Sequence, residues 1–417
     1  MARFTPLTGF KNFHTKSYGA MLYYLITLLI LILLTWLTLS VFYVLFYAIS
    51  GYFYSPEKNE NAQKVSNIVV FIPAYKEDEV IVEVAKSASI HQYDGHHDVV
   101  IIADSLQTKT MIALKKLPIK VIKVHFEKST KSKALNWAMD KLTSNYQIAV
   151  ILDADNIMKA GVLNEFNRYY NAGERAIQGM RVAKNIDSNF AFLDGISEGI
   201  NNHIYSKGPT AVNLSSRLVG SGMAFDYNLF KSSMKQIDAI GGFDKELELL
   251  LIEKGIKIHF RSTAVIYDEK VSRPSDFANQ RTRWISAQYQ FFWKKMPNAI
   301  RLLFKGNFDY FYKSLQLALP PRILMPAFIL ILCLLGIFFS NAYLTYFSAC
   351  LLGLNVIAYS IAIPKYFWSK KMLFAIASLP KAIMITVLCL FKLKKAKSTF
   401  INTPHQNKEH STLKRIE

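Results

Sequence analysis

Short apolar runs alternate with amphipathic runs between residue 67 and residue 156. The apolar runs are rich in β-branched residues and occupy residues 67–75, 98–105, 120–126 and 146–156. Such runs suit strands that are buried on both faces of a sheet. Helical patterns lie between them, at residues 77–90, 107–117 and 131–144. This alternation predicts βαβ units, and therefore an α/β domain built on a mostly parallel sheet flanked by helices.

Two longer stretches, residues 20–53 and 323–364, contain no Asp, Glu, Lys or Arg at all. One bilayer span needs about 20 apolar residues, so these stretches predict at least three membrane crossings. The first stretch exceeds the apolar core of a signal peptide, which has about 7 to 15 residues. We therefore interpret it as an uncleaved membrane anchor.

A third apolar segment, residues 372–391, is interrupted by Pro380 and Lys381. Basic residues flank this segment in the loop 365–371 and in the tail from Lys392. The positive-inside rule places both flanks in the cytoplasm, whereas a full crossing would separate them. The segment is therefore expected to be re-entrant or interfacial.

Residues 291–315 mix aromatic side chains with lysine and arginine, which is typical of helices in the headgroup region, although an amphipathic linker has the same pattern. The expected organisation is as follows: an N-terminal tail and anchor (1–55), a cytosolic α/β domain (56–290), interfacial helices (291–318), two transmembrane helices (319–364), a basic loop with the interrupted segment (365–391), and a basic cytosolic tail (392–417).

The chain is strongly basic, with 50 Lys and Arg against 30 Asp and Glu and a formal charge of +20. Beside apolar spans, this charge favours an anionic membrane surface or a phosphate-bearing substrate over nucleic acid, for which no signature is present. The three cysteines, Cys333, Cys350 and Cys389, all lie in the apolar C-terminal part. We interpret them as small hydrophobic residues and expect neither disulfides nor a metal site there.

Acidic residues gather where the predicted strands end. Asp153 and Asp155 follow a buried strand in "LDADN", Asp104 ends the strand in "IIADS", and Glu77 and Asp78 follow "PAY". The carboxyl ends of parallel strands meet at one edge of a sheet, where ligands bind. Two carboxylates at such an edge can hold Mg2+ or Mn2+ together with nucleotide phosphates, although Asp and Asn are also common in solvated turns.

Basic and aromatic residues add to this crevice. Lys131 opens a predicted helix, a position that suits a diphosphate or a solvated lysine. In "QRTRW", Gln280, Arg283 and Trp284 share one face of a predicted helix that starts near Pro274 and Ser275. Arginine and glutamine can donate to phosphate and tryptophan can stack on a sugar ring, while a membrane-proximal anchoring helix remains the alternative.

The ordered set of motifs resembles the membrane-integrated inverting family 2 glycosyltransferases, the group with cellulose, chitin and hyaluronan synthases and ceramide glucosyltransferase. The matching segments are "PAYKED", "IIADS", "KSKALNWA", "LDADN", "GSGMAF", "GGFDKELELLLIEKGIKI", "AVIYDE", "QRTRW" and, in the tail, "FINTPH" at 400–405. The resemblance implies a GT-A-like fold for the cytosolic domain. It also implies a divalent metal ion as cofactor, Mg2+ or Mn2+.

The resemblance further implies roles for individual residues. The residues expected at the nucleotide are Ala74, Tyr75, Glu77, Asp104, Lys131, Asp153, Gln280 and Arg283. The residues expected at the metal ion are Asp153 and Asp155, with Asp155 as the direct ligand. The residues expected at the acceptor are Gly220, Ser221, Gly222 and Trp284.

The resemblance places the general base at Asp244, eleven residues before Gly255. Here the triplet reads Gly242-Phe243-Asp244, without the glutamate that usually precedes the base, so Glu246 and Glu248 remain alternatives. In an inverting transfer, this carboxylate would deprotonate the acceptor hydroxyl as it attacks the anomeric carbon.

The expected activity is transfer of a sugar from a UDP-sugar to a glycan hydroxyl at the cytosolic face of the plasma or inner membrane. A lipid-linked acceptor and a non-catalytic subunit of a glycan-synthesis complex are the alternatives. The expected partners are the UDP-sugar donor, the glycan or lipid-linked acceptor and membrane lipids, with no nucleic acid. The oligomeric state is not predicted.

Overall fold

The computed structural model describes residues 9–56, 64–143, 145–238, 241–271 and 273–392, and the side chains of the first helix from Met21 onward. The basic tail beyond Lys392, including "FINTPH", lies outside the described residues, as do residues 1–8 and 57–63. Predictions for these segments therefore remain predictions.

Eight strands form one sheet in the order β3-β2-β1-β4-β7-β6-β8-β5. The strands are β1 (Ile68–Tyr75), β2 (His97–Asp104), β3 (Lys120–Val124), β4 (Ile148–Ile151), β5 (Ile157–Met158), β6 (Ala176–Ala183), β7 (Met223–Asp226) and β8 (His259–Asp268). The first four strands are mutually parallel, as predicted. The pairs β4–β7, β6–β7 and β5–β8 are antiparallel, and β6–β8 is parallel, so the whole sheet is mixed.

Helices cover both faces of the sheet. On one face α2 (Ile81–Ser89) and α5 (Val162–Asn171) bury their apolar sides against β1, β2 and β4. The other face is covered by α4 (Lys131–Lys141), α8 (Tyr227–Met234) and α9 (Phe243–Glu253). The short helix α3 (Thr108–Leu114) lies beside α2, and the short helix α7 (Gly208–Ala211) packs against the N-terminal helix (Gly9–Tyr52). The domain therefore has the predicted α/β architecture.

The N-terminal helix α1 (Gly9–Tyr52) contains a candidate membrane span, Met21–Tyr52. A second candidate span is α13 (Ala342–Ala362), while α12 (Leu324–Phe338) is apolar but has only 15 residues. The helices α14 (Lys370–Ile376) and α15 (Leu379–Lys392) pass the same test only as a pair, which bends by 43°. By length and composition, α1 and α13 fit two of the predicted membrane spans, whereas α12 is shorter than the transmembrane helix predicted there. Whether any of these helices crosses a bilayer remains a prediction.

The predicted break in the last apolar segment at Pro380 lies three residues after the observed bend, which begins at Ala377. The helix α10 (Pro274–Leu303) starts at the predicted Pro274 and runs through the predicted domain boundary at residue 290. It leads into α11 (Phe308–Gln316). The helix α6 (Asn189–Asn202), which continues as a π-helix over His203–Lys207, contacts both α13 and α14.

Candidate active site

Three carboxylates lie close together at the ends of β4 and β8. Asp153 and Asp155 follow β4, Asp268 ends β8, and ligand oxygens of all three lie within 4.8 Å of one another. The short strand β5 explains this meeting, because it pairs Ile157 with Tyr267 immediately beside the two acidic segments. The predicted pair Asp153 and Asp155 therefore belongs to a group of three, which we call the acidic cluster.

Asn156 holds two members of the acidic cluster together. Its Nδ2 donates to Asp155 Oδ1 at 3.1 Å and to Asp268 Oδ1 at 3.0 Å. The backbone N–H of Glu269 donates to Asp155 Oδ2 at 3.1 Å. Hydrogen bonds of this kind orient carboxylates that act as metal ligands.

Two cations face Asp268, the buried Lys270 and the largely buried Arg181. Arg181 Nη2 and Lys270 Nζ each lie 2.6 Å from Asp268 Oδ2. Burial acts to raise the pKa of Asp268, but the nearby charges of Arg181 and Lys270 outweigh burial and hold that pKa well below its usual range. Asp268 is therefore ionised at neutral pH.

Lys131 connects the acidic cluster to the neighbouring loop. Thr130 caps α4 by accepting from the backbone N–H of Lys133 at 3.2 Å, so Lys131 is the first residue of the helix. The Lys131 ammonium forms an ion pair with Asp153 and donates to the carbonyl oxygen of Gly220 at 2.7 Å. The structure thus brings a predicted diphosphate residue, a predicted metal residue and a predicted acceptor residue together.

Asp244 lies beside this group, in the first turn of α9. Gly242 begins the helix with a φ of 71°, a left-handed conformation that favours glycine. A side-chain carbon at Gly220 would lie 3.9 Å from the Cγ of Asp244. Burial raises the pKa of Asp244, and Glu248 acts in the same direction, while Lys245 and Lys131 oppose the shift.

The helix α10 contributes a cation to the same place. Burial lowers the pKa of Arg283, and the charges of Asp153 and Asp244 oppose this shift, so the guanidinium lies within electrostatic reach of both carboxylates. Its neighbour Arg281 instead donates to Asp194 Oδ1 on α6 at 2.8 Å and stacks near the Trp284 ring. Of the two arginines in "QRTRW", only Arg283 has charge interactions with the candidate base and the acidic cluster among the described residues.

The other two predicted residues of α10 are less constrained. Trp284 is 39% exposed, with Arg281 4.9 Å from its ring centre. The side-chain oxygen of Gln280 is buried and has no hydrogen-bond partner within the described part of the chain. The Trp284 ring is therefore accessible to a ligand, and among the described residues no contact joins either side chain to the acidic cluster.

The predicted nucleotide residues lie along the adjacent strand ends. Ala74 and Tyr75 end β1, and Tyr75 pairs in register with Asp104 at the end of β2. The residues that follow, Lys76 and Ser105, have φ values of 57° and 56°. Non-glycine residues in this conformation cost about 1 to 3 kcal/mol and tend to occur at binding sites. Glu77 lies in the turn that leads into α2, where its carbonyl oxygen accepts from Ile81.

The two alternatives to Asp244 occupy different surroundings. Glu248 is buried and accepts from the backbone N–H of Leu218 at 2.5 Å, with Lys245 and Lys313 within 3.8 Å. Glu246 is also buried, with one carboxylate oxygen 3.6 Å from Lys294. Neither of the two has a contact with the acidic cluster among the described residues, whereas Asp244 adjoins Gly220 beside it.

The acidic cluster offers oxygen ligands only, which is the ligand type that Mg2+ and Mn2+ prefer. The cluster therefore fits the expected metal ion. Sequence reasoning missed Asp268 as a member, although it follows a strand-like run in "AVIYDE" in the same way that Asp153 follows its strand. It also missed Asn156, Arg181 and Lys270, whose contacts arise only from the pairing of β6, β8 and β5.

The acidic cluster lies at the strand ends of an α/β fold of the GT-A type, with Lys131, Arg283 and the partly buried Asp244 beside it. The sequence model of the family "Glycosyltransferase like family 2" matches residues 66–287, and the chain belongs to this family. No curated protein sequence matches the chain significantly.

One solved structure supports the GT-A-like fold, and two others are similar over a smaller part of this chain. The mannosyltransferase PcManGT from Pyrobaculum calidifontis, determined in complex with GDP-Man and Mn2+, is 16% identical with a TM-score of 0.50 over 88% of this chain and 96% of that chain. Glucosyl-3-phosphoglycerate synthase from Mycobacterium tuberculosis, in complex with Mn2+, UDP and glucosyl-3-phosphoglycerate, is 16% identical with a TM-score of 0.36, over 52% and 77%. TarS from S. aureus is 16% identical with a TM-score of 0.35, over 52% and 38%.

Proposed function

We propose that this glycosyltransferase transfers a sugar from a UDP-sugar to a glycan hydroxyl, with inversion at the anomeric carbon, at the cytosolic face of a membrane. One observation carries the proposal. Lys131 forms an ion pair with Asp153 and donates to the carbonyl oxygen of Gly220, and Gly220 in turn adjoins Asp244. A base for the acceptor and a site for the leaving diphosphate therefore lie next to each other, as a single displacement requires.

The donor side is assigned to the acidic cluster and the cations around it. Asp153, Asp155 and Asp268 would hold Mg2+ or Mn2+, which supplies positive charge for the donor diphosphate. Lys131 and Arg283 would donate to the diphosphate oxygens as charge develops on the departing UDP. Ala74, Tyr75, Glu77 and Asp104 would surround the uridine at the ends of β1 and β2.

The acceptor side is assigned to Asp244 and the glycine-rich loop. The Asp244 carboxylate takes the proton from the acceptor hydroxyl, and the resulting oxygen forms the new bond to the anomeric carbon. The bond to UDP breaks on the opposite face, and UDP leaves with its electron pair. Burial and Glu248 raise the pKa of Asp244, which strengthens it as a base. Gly220, Ser221, Gly222 and the exposed Trp284 ring would contact the acceptor sugar.

The proposed membrane location rests on the apolar helices. α1 and α13 are each long enough and apolar enough to span a bilayer, and the bent pair α14–α15 would add a third span or a re-entrant segment. The positive-inside rule then places the catalytic domain in the cytosol. Within the described residues, two or three such helices are few for a polymer channel, which favours a lipid-linked acceptor as the second candidate.

A donor screen tests the proposed function. Purified full-length protein with Mn2+ would be given a panel of UDP-sugars, with GDP-mannose as the comparison donor, and nucleotide release would be followed. We expect release from one UDP-sugar, and expect Asp155→Asn to abolish the response to Mn2+. Release from GDP-mannose alone would reassign the donor. If no donor released its nucleotide, even with an added glycan or lipid acceptor, the protein would instead be a non-catalytic subunit of a glycan-synthesis complex.

Product size separates the two acceptors. A labelled sugar from the active donor would be followed into products resolved by gel filtration and by solvent extraction. A polymer of increasing size supports a glycan acceptor. A single product of fixed size that partitions into organic solvent would instead show transfer to a lipid.

A further inference from the structure

A buried glutamine lies behind the loop 219–222, which we call the acceptor loop. Gln178 is the third residue of β6 and is 1% exposed. Its Nε2 donates to the carbonyl oxygens of Ser221 at 3.0 Å and Gly222 at 3.2 Å. Its Oε1 accepts from the backbone N–H of Val219 at 3.0 Å. One side chain therefore holds both ends of the acceptor loop.

The need for this side chain follows from the sheet. The pairing of β6 with β7 ends where Gln178 faces Met223. Just before Met223, Gly220 and Gly222 have φ values of 80° and 63°, so the acceptor loop turns out of the ladder. Backbone groups that leave a ladder inside a protein still require partners. Gly222 keeps backbone partners, since its carbonyl oxygen accepts from Gly179 N–H and its N–H donates to the Ile151 carbonyl oxygen, both at 2.8 Å. The Gln178 amide has both a donor and an acceptor, and it supplies partners to the Ser221 carbonyl oxygen and the Val219 N–H, which lie beyond that ladder.

The acceptor loop touches both halves of the candidate site. The Ser221 hydroxyl accepts from the backbone N–H of Asp153 at 2.9 Å, and the Gly220 carbonyl oxygen accepts from Lys131 at 2.7 Å. On its other side, Gly220 adjoins Asp244. The position of this loop therefore fixes the space between the acidic cluster and the candidate base, which is where an acceptor hydroxyl must enter.

We propose that Gln178 is a positioning residue for the acceptor: it fixes the acceptor loop so that the acceptor hydroxyl meets Asp244, without contacting donor or acceptor itself. This inference rests on the proposed glycosyl transfer. It has a consequence that a purely structural role lacks. Loss of the Gln178 amide would impair transfer to the acceptor, while donor binding and the slow attack of water on the donor, which needs no placed acceptor, would continue.

The test compares transfer with hydrolysis in the full-length protein. Sugar on the acceptor and free sugar would be measured from the same labelled donor with Mn2+, for the wild type and for Gln178→Met, which preserves side-chain length. We expect the ratio of transfer to hydrolysis to fall about tenfold or more. UDP binding in the presence of Mn2+ should stay within about twofold of the wild-type value, because the acidic cluster keeps its own contacts.

Gln147→Met is the matched control. Gln147 also uses its side-chain amide to hold backbone, since its Oε1 accepts from Asn67 N–H at 2.7 Å. It lies just before β4, at the end of that strand away from the acidic cluster. The ratio of transfer to hydrolysis in Gln147→Met should equal the wild-type ratio. An unchanged ratio in Gln178→Met, or an equal loss of transfer, hydrolysis and UDP binding, would overturn the inference.

A second variant covers the case in which Gln178→Met does not fold. The carboxyl introduced by Gln178→Glu can still accept from Val219, and when protonated it can donate to Ser221. Relative to the wild type at each pH, its ratio of transfer to hydrolysis should rise as the pH falls, and a flat profile would contradict the inference. A wild type that releases nucleotide from no donor refutes the proposed function and this inference with it. An active wild type with unaffected variants refutes the inference alone.

Discussion

Replacement of Asp268 by Asn separates the two roles that its position suggests. Asp268 shares the acidic cluster with Asp153 and Asp155, and it also neutralises the buried charges of Arg181 and Lys270. The substitution keeps the shape of the side chain and removes its charge. It should therefore weaken metal-dependent nucleotide binding and also destabilise the fold.

The size of the stability loss follows from burial. The side chains of Arg181, Lys270 and Asp268 are 11%, 2% and 6% exposed, so solvent screens their attraction only weakly. Loss of one partner of such a buried pair costs about 3 to 5 kcal/mol. In Asp268→Asn, Lys270 would still have Glu198 as an ion-pair partner at 3.6 Å, so we expect a loss near the lower end of this range. About 3 kcal/mol lowers the unfolding midpoint of a domain of this size by roughly 6 to 12 °C.

The assay is thermal unfolding with and without Mn2+ plus UDP, and Glu198→Gln is the matched control. Glu198 is buried in the same charge network, 2.8 Å from Arg217, but lies outside the acidic cluster. Both variants should have lower midpoints, and only Asp268→Asn should lose the additional stabilisation by Mn2+ and UDP. Each tenfold loss of affinity removes about 1.4 kcal/mol of that stabilisation. Full stabilisation of Asp268→Asn by the ligands would refute the assignment of Asp268 to the metal ion.

Other expectations concern the base and α10. The negative charge of Glu248 raises the pKa of Asp244, so Glu248→Gln should move the acid limb of the kcat/KM profile to lower pH; an unchanged or opposite shift would contradict the assignment of the base. Arg283→Met should weaken UDP binding by about tenfold, as expected for a lost charge-assisted contact of about 1.4 kcal/mol, with little change in Tm. Arg281→Met should lower Tm through loss of its contact with Asp194 and leave UDP affinity unchanged, and the reverse result would exchange the roles of the two arginines.

The parallel half of the sheet was predictable because its signals are local. The central strands β1 and β4 are continuous apolar runs between helical patterns, as parallel strands buried on both faces require, and the apolar part of β2 fits the same pattern. The edge strand β3 contains Lys120 and Lys123 and is only partly buried, but its β-branched residues still mark it as a strand. The acids at the ends of β1, β2 and β4 can therefore be assigned to one edge of the sheet from the sequence alone. The starting point of α10 was predictable for a similar reason, since Pro274 favours the first turn of a helix.

The rest of the site depends on pairings between distant segments. Asp268 reaches the acidic cluster only because β8 pairs with both β6 and β5, and nothing in the letters around Asp268 specifies those neighbours. Gln178 reaches the acceptor loop through the antiparallel pairing of β6 with β7. Periodicity identifies a strand but does not tell which strand it pairs with or in which direction. Asp268 and Gln178 are therefore missed even when β8 and β6 are recognised as strands.

The most direct test of the central claim is acceptor-dependent UDP release by Asp244→Asn. With the active donor, Mn2+ and acceptor, the variant should lose sugar transfer by a factor of about 10² to 10⁴, because no other group takes the proton from the acceptor. UDP binding should remain near the wild-type value, and Glu246→Gln should remain active. Undiminished transfer by Asp244→Asn, or loss of transfer in Glu246→Gln instead, would contradict the account of this site.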